Sequence, residues 1–233
     1  MKKTVLHICA LASLALGLSG SALAESFTFQ LGLANIEPNS SVTAVSGPLT
    51  PPDALSLKVQ SKSTVFFSAS MPINEQWDAE LALGLPPTHD NTLVVLNPTA
   101  VPGSVAARDG QLAGRARQVF PTLFANYKFG DKNSQIRPFV GVGINYTFFD
   151  NTESTAVNDA TNGGPTSIKL SSSIGPAMQL GVTAKLGGPW SLTGSWSTAR
   201  VKTTMTSNTL GIERKADILF HPSIFIVAVG YSF

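Results

Sequence analysis

Four charged residues occupy positions that alternate with large apolar ones, and they are the first candidates for chemistry in this sequence. They are Asp78, Glu80, Lys128 and Lys185. A buried charge without a partner is expensive, so charges on the inner face of a fold are expected to pair. Because the segments of Asp78 and Glu80 and of Lys128 are neighbours in the chain, we predict that one of these carboxylates pairs with Lys128.

His221 and Ser223 lie two residues apart on one face of a terminal segment, where they could form a base and nucleophile pair. No acidic residue is identifiable that would orient the histidine, and Pro222 stands between them. His89 falls in a predicted loop far from His221, so the two histidines make no metal site by spacing. The residues therefore predict no enzyme, no cofactor and no metal site.

Eight segments with period-two alternation carry these residues, and in each one face is large and apolar while the other is small or polar. The segments are residues 26–35, 63–71, 77–85, 118–129, 137–149, 173–186, 190–203 and 218–233. In the last of them, Phe225, Val227, Val229, Tyr231 and Phe233 form the apolar face. A soluble sandwich would bury that face, whereas a membrane barrel would turn it toward lipid.

The connections between these segments alternate strictly in length. Short turns at 72–76, 130–136 and 187–189 alternate with long connections at 36–62, 86–117, 150–172 and 204–216. A Greek-key sandwich has no reason to produce this alternation, but an outer-membrane barrel does. The fold class predicted is all-β: an eight-stranded antiparallel transmembrane β-barrel with short periplasmic turns and long extracellular loops.

The amino terminus predicts export. Lys2 and Lys3 precede an apolar run and an Ala-Leu-Ala site, which indicates a secretory signal peptide over residues 1–24 and one domain over 25–233. Its removal takes away Cys9 and brings the 16 basic residues level with the 14 acidic ones, which argues against nucleic-acid binding. After residue 24 no run of 18 apolar residues occurs, so we expect no membrane helix there.

Four stretches of the sequence resemble the outer membrane protein W family, which includes alkane-uptake outer-membrane proteins. They read FQLGLANIEPN, PTLFANYKFGDKNSQIRPFVGVGINYTFFD, SSSIGPAMQLGVTAKLGGPWSLTGSW and IFIVAVGYSF. The resemblance implies a narrow, partly apolar lumen that admits small hydrophobic molecules and releases them sideways into the membrane. Tyr231 and Phe233 also resemble the terminal signature that barrel-assembly machinery reads. His221 departs from the family, whose members tend to have an acidic residue before this proline.

The lumen of an eight-stranded barrel admits side chains or one slim ligand. Its lining and an apolar entry pocket are expected from the inward positions Phe66, Phe120, Phe124, Asn126, Phe139 and Asn145, together with Leu93 and Val95 of the second long connection. The apolar run that contains Leu93 and Val95 could equally be a strand extension beyond the membrane. The lumen charges either plug the periplasmic end or simply fill a closed barrel.

Three prolines fall within the upper parts of predicted strands. Proline cannot donate to a strand ladder, so Pro121, Pro176 and Pro222 should each leave a local gap or bulge. Such a gap could be a lateral exit from the lumen. It could also mark only the height at which regular pairing ends.

The function expected is passive uptake of small hydrophobic molecules across the bacterial outer membrane. A sealed structural or surface barrel that binds phage, bacteriocin or host is the alternative, and a lipid A-modifying enzyme is a weaker one. Expected partners are outer-membrane lipid, lipopolysaccharide, the substrate and the assembly machinery. Arg108, Arg115 and Arg117 are candidates for lipopolysaccharide phosphates, although they could be a solvated rim.

Overall fold

Eight of the strands wrap into one closed antiparallel barrel in the computed structural model, which describes residues 27–233. The elements in chain order are β1 (Thr28–Glu37), β2 (Ser40–Val42), β3 (Leu55–Val59), β4 (Lys62–Pro72), β5 (Trp77–Gly84), β6 (Thr88–Val95), α1 (Gly103–Ala106), β7 (Leu112–Val119), β8 (Thr122–Lys128), β9 (Ile136–Ser154), α2 (Ala156–Asn162), β10 (Thr166–Leu170), β11 (Ser173–Gly187), β12 (Trp190–Ala199), β13 (Val201–Thr209), β14 (Ile212–Phe220) and β15 (Ser223–Ser232). The predicted signal peptide lies outside the described residues.

The barrel strands follow the order β11-β12-β15-β1-β4-β5-β8-β9, and β9 pairs with β11 to close the ring. The first and last strands form the seam, with a continuous register from Thr28 opposite Ser232 to Glu37 opposite Ser223. A closed ring leaves no unpaired edge in the hydrocarbon, which is what the lipid phase requires of a β-structure. The eight predicted strands all belong to this ring.

The two faces of the barrel wall differ as the alternation predicts. Outward-facing apolar side chains are largely exposed, for example Leu31 at 64%, Val142 at 65% and Val227 at 63%. The alternate positions turn inward and are buried, as Ala228 is at 1%. Since a water-soluble protein would bury the first set, this apolar surface is the one that contacts lipid.

Aromatic side chains cluster at the end of the barrel that carries the short turns. Trp77, Tyr127 and Phe129 form one edge-to-face cluster, with ring centroids 5.3 and 5.0 Å apart. Tyr231 packs against Trp190 at 4.9 Å and against Phe233 at 4.8 Å in a second cluster. Rings at this height match the interfacial girdle of outer-membrane barrels.

Regular β-structure continues far beyond the expected membrane strands. β7, β6 and β3 extend the sheet beside the upper part of β9, while β10, β13, β14 and β2 form a separate four-stranded sheet. The long connections are therefore mostly strands. The strand-extension interpretation of the segment that contains Leu93 and Val95 is correct, since both belong to β6.

Three of the predicted strand segments are interrupted in the structure. The segment 118–129 breaks at Phe120 and Pro121, between β7 and β8, because proline has no amide hydrogen for the ladder. The segment 190–203 breaks at Arg200, whose amide donates to the Pro176 carbonyl at 2.9 Å. The segment 218–233 breaks at His221 and Pro222, between β14 and β15. All three breaks lie where the barrel passes into the upper sheets. Within residues 27–233, no helix is long and apolar enough to cross a membrane.

Candidate functional site

A cavity of about 430 Å³ lies among the upper strands, between the β3-β6-β7 extension and the four-stranded sheet. This outer cavity has walls that are mostly apolar. They include Leu57, Leu93, Phe149, Ile168, Ile218 and Phe220. Its size falls in the range of pockets that hold small organic ligands.

Two buried polar side chains also line the outer cavity: His89 on β6 and Arg214 on β14, which are only 4% and 6% exposed. The Nδ1 atom of His89 donates to the Gln60 carbonyl at 2.9 Å, and Nε of Arg214 donates to Oγ1 of Thr50 at 3.0 Å. The Nε2 atom of His89 and Nη1 of Arg214 have no hydrogen-bond partner among residues 27–233. These atoms are the buried polar groups through which the cavity could recognise a ligand.

Neither residue is predicted from the sequence as a binding residue. His89 falls in a segment predicted to be a loop, and Arg214 in the long connection 204–216. The sequence pattern does contain a signal for Arg214. This residue lies on the same face of its alternating segment as Ala216, Ile218 and Phe220, which are all buried. An arginine on the apolar face of an alternating segment is a candidate binding residue.

Burial lowers the pKa of His89 because a buried imidazolium loses its hydration. The hydrogen bond to the Gln60 carbonyl raises the pKa, the charge of Lys62 lowers it further, and the charge of Asp90 raises it. The unfolded chain then takes up the proton first as the pH falls below the usual histidine pKa of about 6.5, so stability at this site is complete above that pH and is lost below it. We expect faster hydrogen exchange of the β6 amides at pH 5.5 than at pH 7.5, relative to intrinsic rates.

The variant His89→Gln should lose most of this pH dependence. His221→Gln is the matched control, because His221 is an exposed histidine and its removal should leave the pH dependence of β6 unchanged. An unaltered pH dependence in His89→Gln would contradict the assignment.

A second, much smaller cavity of about 40 Å³ lies in the barrel below the outer one. Phe66, Phe120, Phe124 and Asn145 of the predicted entry pocket line this inner cavity. Gln118 lines both cavities, so they adjoin at that side chain. The amide of Asn145 donates to Oγ1 of Thr122 at 2.8 Å, and both side chains are among the polar groups that line this cavity together with apolar ones.

Below the inner cavity, three buried side chains join in one hydrogen-bond network. Glu80 Oε2 accepts from Nδ2 of Asn126 at 2.9 Å and from Nε2 of Gln179 at 2.8 Å, and Gln179 also donates to Oδ1 of Asn126 at 2.6 Å. All three are at most 6% exposed. The network joins inward-facing side chains of β5, β8 and β11, which lie within one run of neighbouring barrel strands, β5-β8-β9-β11. We refer to Glu80, Asn126 and Gln179 as the lumen network.

Of the two predicted carboxylates, Asp78 is the one that pairs with Lys128. Glu80 is satisfied by amides instead. The expectation that Lys185 joins these lumen charges is wrong: Lys185 is exposed, and its Nζ donates to the Lys132 carbonyl in a turn at 2.6 Å. Lys185 has the inward parity, but it lies at the rim of the barrel where its long side chain reaches solvent.

The other predicted lining residues divide between the two ends of the lumen. Phe139 is 6% exposed and fills the barrel opposite Gly181, where an added Cβ would lie 2.6 Å from the Phe139 ring. Val95 is half-buried on β6 and does not line either cavity, so its assignment to the entry pocket is wrong. Leu93, two residues earlier on β6, does line the outer cavity.

The three prolines lie at the level where the barrel joins the upper sheets. Pro121 follows the end of β7, and Pro222 falls between β14 and β15. Pro176 stays within β11, opposite Ile144 of β9. Pro222 is the one that lines the inner cavity.

Other polar candidates are bound within the protein. Arg115 pairs with Asp90 at 2.9 Å and Arg117 with Asp150 at 2.6 Å, so both have a partner other than lipopolysaccharide. Ser223 accepts a hydrogen bond from Nδ2 of Asn39 at 3.1 Å instead of bonding to the nearby histidine. Among residues 27–233, no cluster of three or more potential ligands could hold a metal ion.

Comparisons with known proteins agree with this architecture. The chain is 29% identical to outer membrane protein W of Vibrio cholerae over 239 residues, which cover 100% of both chains. It is 23% identical over 207 residues to a dibenzothiophene metabolism operon protein, PahQ, of Pseudomonas aeruginosa, covering 89% of this chain and 88% of that one. The crystal structure of the outer membrane protein OprG from Pseudomonas aeruginosa superposes with a TM-score of 0.77 at 23% identity, covering 90% and 96% of the two chains.

The model of the OmpW family matches residues 24–233. The predicted resemblance, the eight-stranded barrel and the location in the bacterial outer membrane are confirmed by these likenesses together. The chain belongs to the OmpW family of outer membrane barrels.

Proposed function

We propose that this barrel takes up small hydrophobic molecules passively from outside the cell and releases them sideways into the outer membrane. The observation that carries the proposal is the order of spaces along the barrel axis. An apolar outer cavity of about 430 Å³ adjoins a small inner cavity, and a buried polar network lies beneath.

The outer cavity supports entry of an apolar molecule. Leu93, Phe149 and Phe220 provide apolar surface for such a molecule to contact. Removal of apolar surface from water stabilises a bound ligand by about 25 cal/mol per Å². The name of the relative PahQ, which places that protein in a dibenzothiophene metabolism operon, is in keeping with a hydrophobic substrate.

The lumen network supports sideways release rather than passage to the periplasm. Glu80, Asn126 and Gln179 satisfy one another across the lumen, so an apolar molecule would have to break several buried hydrogen bonds to pass. Below them Asp78 pairs with Lys128. Simple filling of a narrow barrel by the same residues is the alternative to a barrier.

The junction at Pro222 is the lateral exit that we favour. Regular pairing between β12 and β15 ends at Ser197 opposite Ile224, and pairing between β13 and β14 begins at Val201 opposite Phe220. Pro222 lies between these two ladders and lines the inner cavity. Pro121 and Pro176 contribute no side chain to that cavity, which makes them weaker candidates.

Uptake by a deletion strain tests the proposal. The strain should accumulate apolar substrates such as alkanes and polycyclic thiophenes several-fold faster when it expresses the protein. Leu93→Trp should lower that rate because it fills the outer cavity, whereas Val95→Trp, on the same strand but outside the cavity lining, should not. Surface levels of both variants must be equal.

Electrical recording in planar bilayers tests whether the lumen is open from end to end. The purified protein should take up apolar substrate while it conducts no ions, because the lumen network blocks water. Equal uptake with and without the protein would contradict the transport proposal. Steady ion conductance would instead show a passage through the lumen and would rule out the barrier.

A sealed surface barrel is the second candidate function. The upper strands form a rigid extension with two sheets that a phage, bacteriocin or host surface could contact. Unchanged uptake together with loss of such binding on deletion would favour it. Lipid A modification has less support, because Ser223 is engaged with Asn39.

A further inference from the structure

Arg214 is a buried cation in an apolar cavity. Its side chain is 6% exposed, its one hydrogen bond in the described chain is to the neutral hydroxyl of Thr50, and its Nη1 has no partner there. Arginine stays charged at any physiological pH, so it cannot escape the cost of burial by losing a proton. A buried guanidinium without an anion is destabilising by several kcal/mol.

No acidic residue of the described chain neutralises this charge. None of the ion pairs within residues 27–233 includes Arg214. Its neighbours Glu213 and Asp217 lie on the opposite, exposed face of β14. Arg115, the other arginine of the cavity lining, already pairs with Asp90 at 2.9 Å. The cavity therefore holds one cation in excess, and a bound anion would complete it.

His89 differs from Arg214 in what it can bind. Because a carbonyl only accepts hydrogen bonds, contact of Nδ1 with the Gln60 carbonyl places the proton on Nδ1 and leaves Nε2 as an acceptor. Burial also lowers the pKa of His89, which keeps the ring neutral. An anion would thus bind at Arg214 and not at His89.

The lining of the outer cavity follows β14 from Arg214 through Ile218 to Phe220. Arg214 lies near the turn at the outer end of this strand, and Phe220 ends the strand at the barrel side. The six residue steps from Arg214 to Phe220 correspond to roughly 20 Å at about 3.3 Å per residue. Apolar side chains that line this length are Ala116, Phe149, Met205, Ile218 and Phe220. A ligand that fits has an anionic head and an apolar body.

We propose that the outer cavity binds an amphipathic carboxylate, with its anionic group on the Arg214 guanidinium and its apolar body extending toward Phe149 and Phe220. The guanidinium fork matches a carboxylate geometrically, and a bidentate pair away from water is strong. This inference deepens the proposed uptake function by naming a substrate class. Its test measures binding, so its failure and the failure of uptake can be told apart.

Isothermal titration calorimetry of the full protein in zwitterionic lipid nanodiscs, with empty nanodiscs as reference, tests the proposal. Decanoate should bind at least tenfold more tightly than the neutral decanamide, and acetate, which lacks the apolar body, should not compete. Arg214→Gln should weaken decanoate binding at least tenfold and change decanamide binding less than twofold. Lys215→Gln is the control, since Lys215 is an exposed neighbour on the same strand.

Three results would overturn the proposal. One is equal affinity of the protein for decanoate and decanamide, and another is absence of decanoate binding in excess of the empty nanodisc. The third is equal loss of both ligands in Arg214→Gln when its amide spectrum shows an intact barrel, because that would assign Arg214 a purely structural role. Arg214→Lys should retain part of the preference for decanoate, since it keeps the charge but not the fork.

Discussion

Replacement of Gly32 by alanine is expected to prevent stable closure of the barrel. A Cβ atom at this position would lie 2.1 Å from the Val227 carbonyl oxygen and 2.5 Å from the Ala228 Cα. Both are backbone atoms of β15, so neither can rotate away as a flexible side chain would. Because β1 and β15 form the seam, the two strands must separate, which we expect to cost about 3 kcal/mol or more.

Heat-modifiable gel mobility and urea unfolding of the purified protein measure this effect. Gly194→Ala is the matched control: Gly194 also lies in a barrel strand, but an added Cβ would have no heavy atom within 4 Å. The control should fold as the parent does, since alanine in an exposed strand position avoids the entropy cost of glycine. A Gly32→Ala protein as stable as Gly194→Ala would show that the seam adapts, contrary to this expectation.

Replacement of Lys128 by methionine is expected to destabilise the barrel by about 3 kcal/mol, the cost of an uncompensated buried charge. Asp78 has only 5% of its side chain exposed and pairs through Oδ2 with Lys128, while its Oδ1 has no hydrogen-bond partner within residues 27–233. Removal of Lys128 therefore leaves the carboxylate without a counter-charge. The cost should be at the lower end of the usual range because the Lys128 side chain is 30% exposed.

The double variant Asp78→Asn with Lys128→Met should recover most of the lost stability, because it removes both charges together. Lys185→Met is the control. It deletes a lysine at the same end of the barrel whose ammonium only donates to the Lys132 carbonyl at an exposed site, so it should change the free energy of unfolding by less than about 0.5 kcal/mol. Equal effects of Lys128→Met and Lys185→Met would contradict the paired arrangement.

The proposed uptake route follows two adjoining cavities, one among the upper sheets and one inside the barrel. The upper sheets line the apolar outer cavity, Pro222 lines the inner cavity beneath it, and the lumen network is the barrier that we propose on the periplasmic side. Each part is built from strands, so the route is set by rigid elements and by the side chains that face inward. This arrangement suits a substrate that enters from water and leaves into lipid.

Alternation of residue types determined much of this from the sequence. It gave the outward position of Leu31 and Val227, the inward position of Glu80 and Asn126, and the eight strands with their alternating connections. The reason is physical: side chains of a strand point alternately to two faces, so the composition of each face, together with the alternating connection lengths, identifies which face meets lipid. The same alternation predicted that Tyr231 and Phe233 lie on one face, where their rings are in contact.

Only the tertiary structure decided which inward side chains meet. Asp78 and Glu80 share one face of β5, and the sequence could not tell that Asp78 pairs with Lys128 while Glu80 bonds to Gln179, a residue 99 positions away. The alternation pattern placed Lys185 on the inward face and could not reveal that it lies at the solvated rim. His89 and Arg214 come together because β6 and β14 belong to different sheets that face each other across a cavity. Parity assigns a residue to a face, but partner choice depends on height along the barrel and on long-range strand packing.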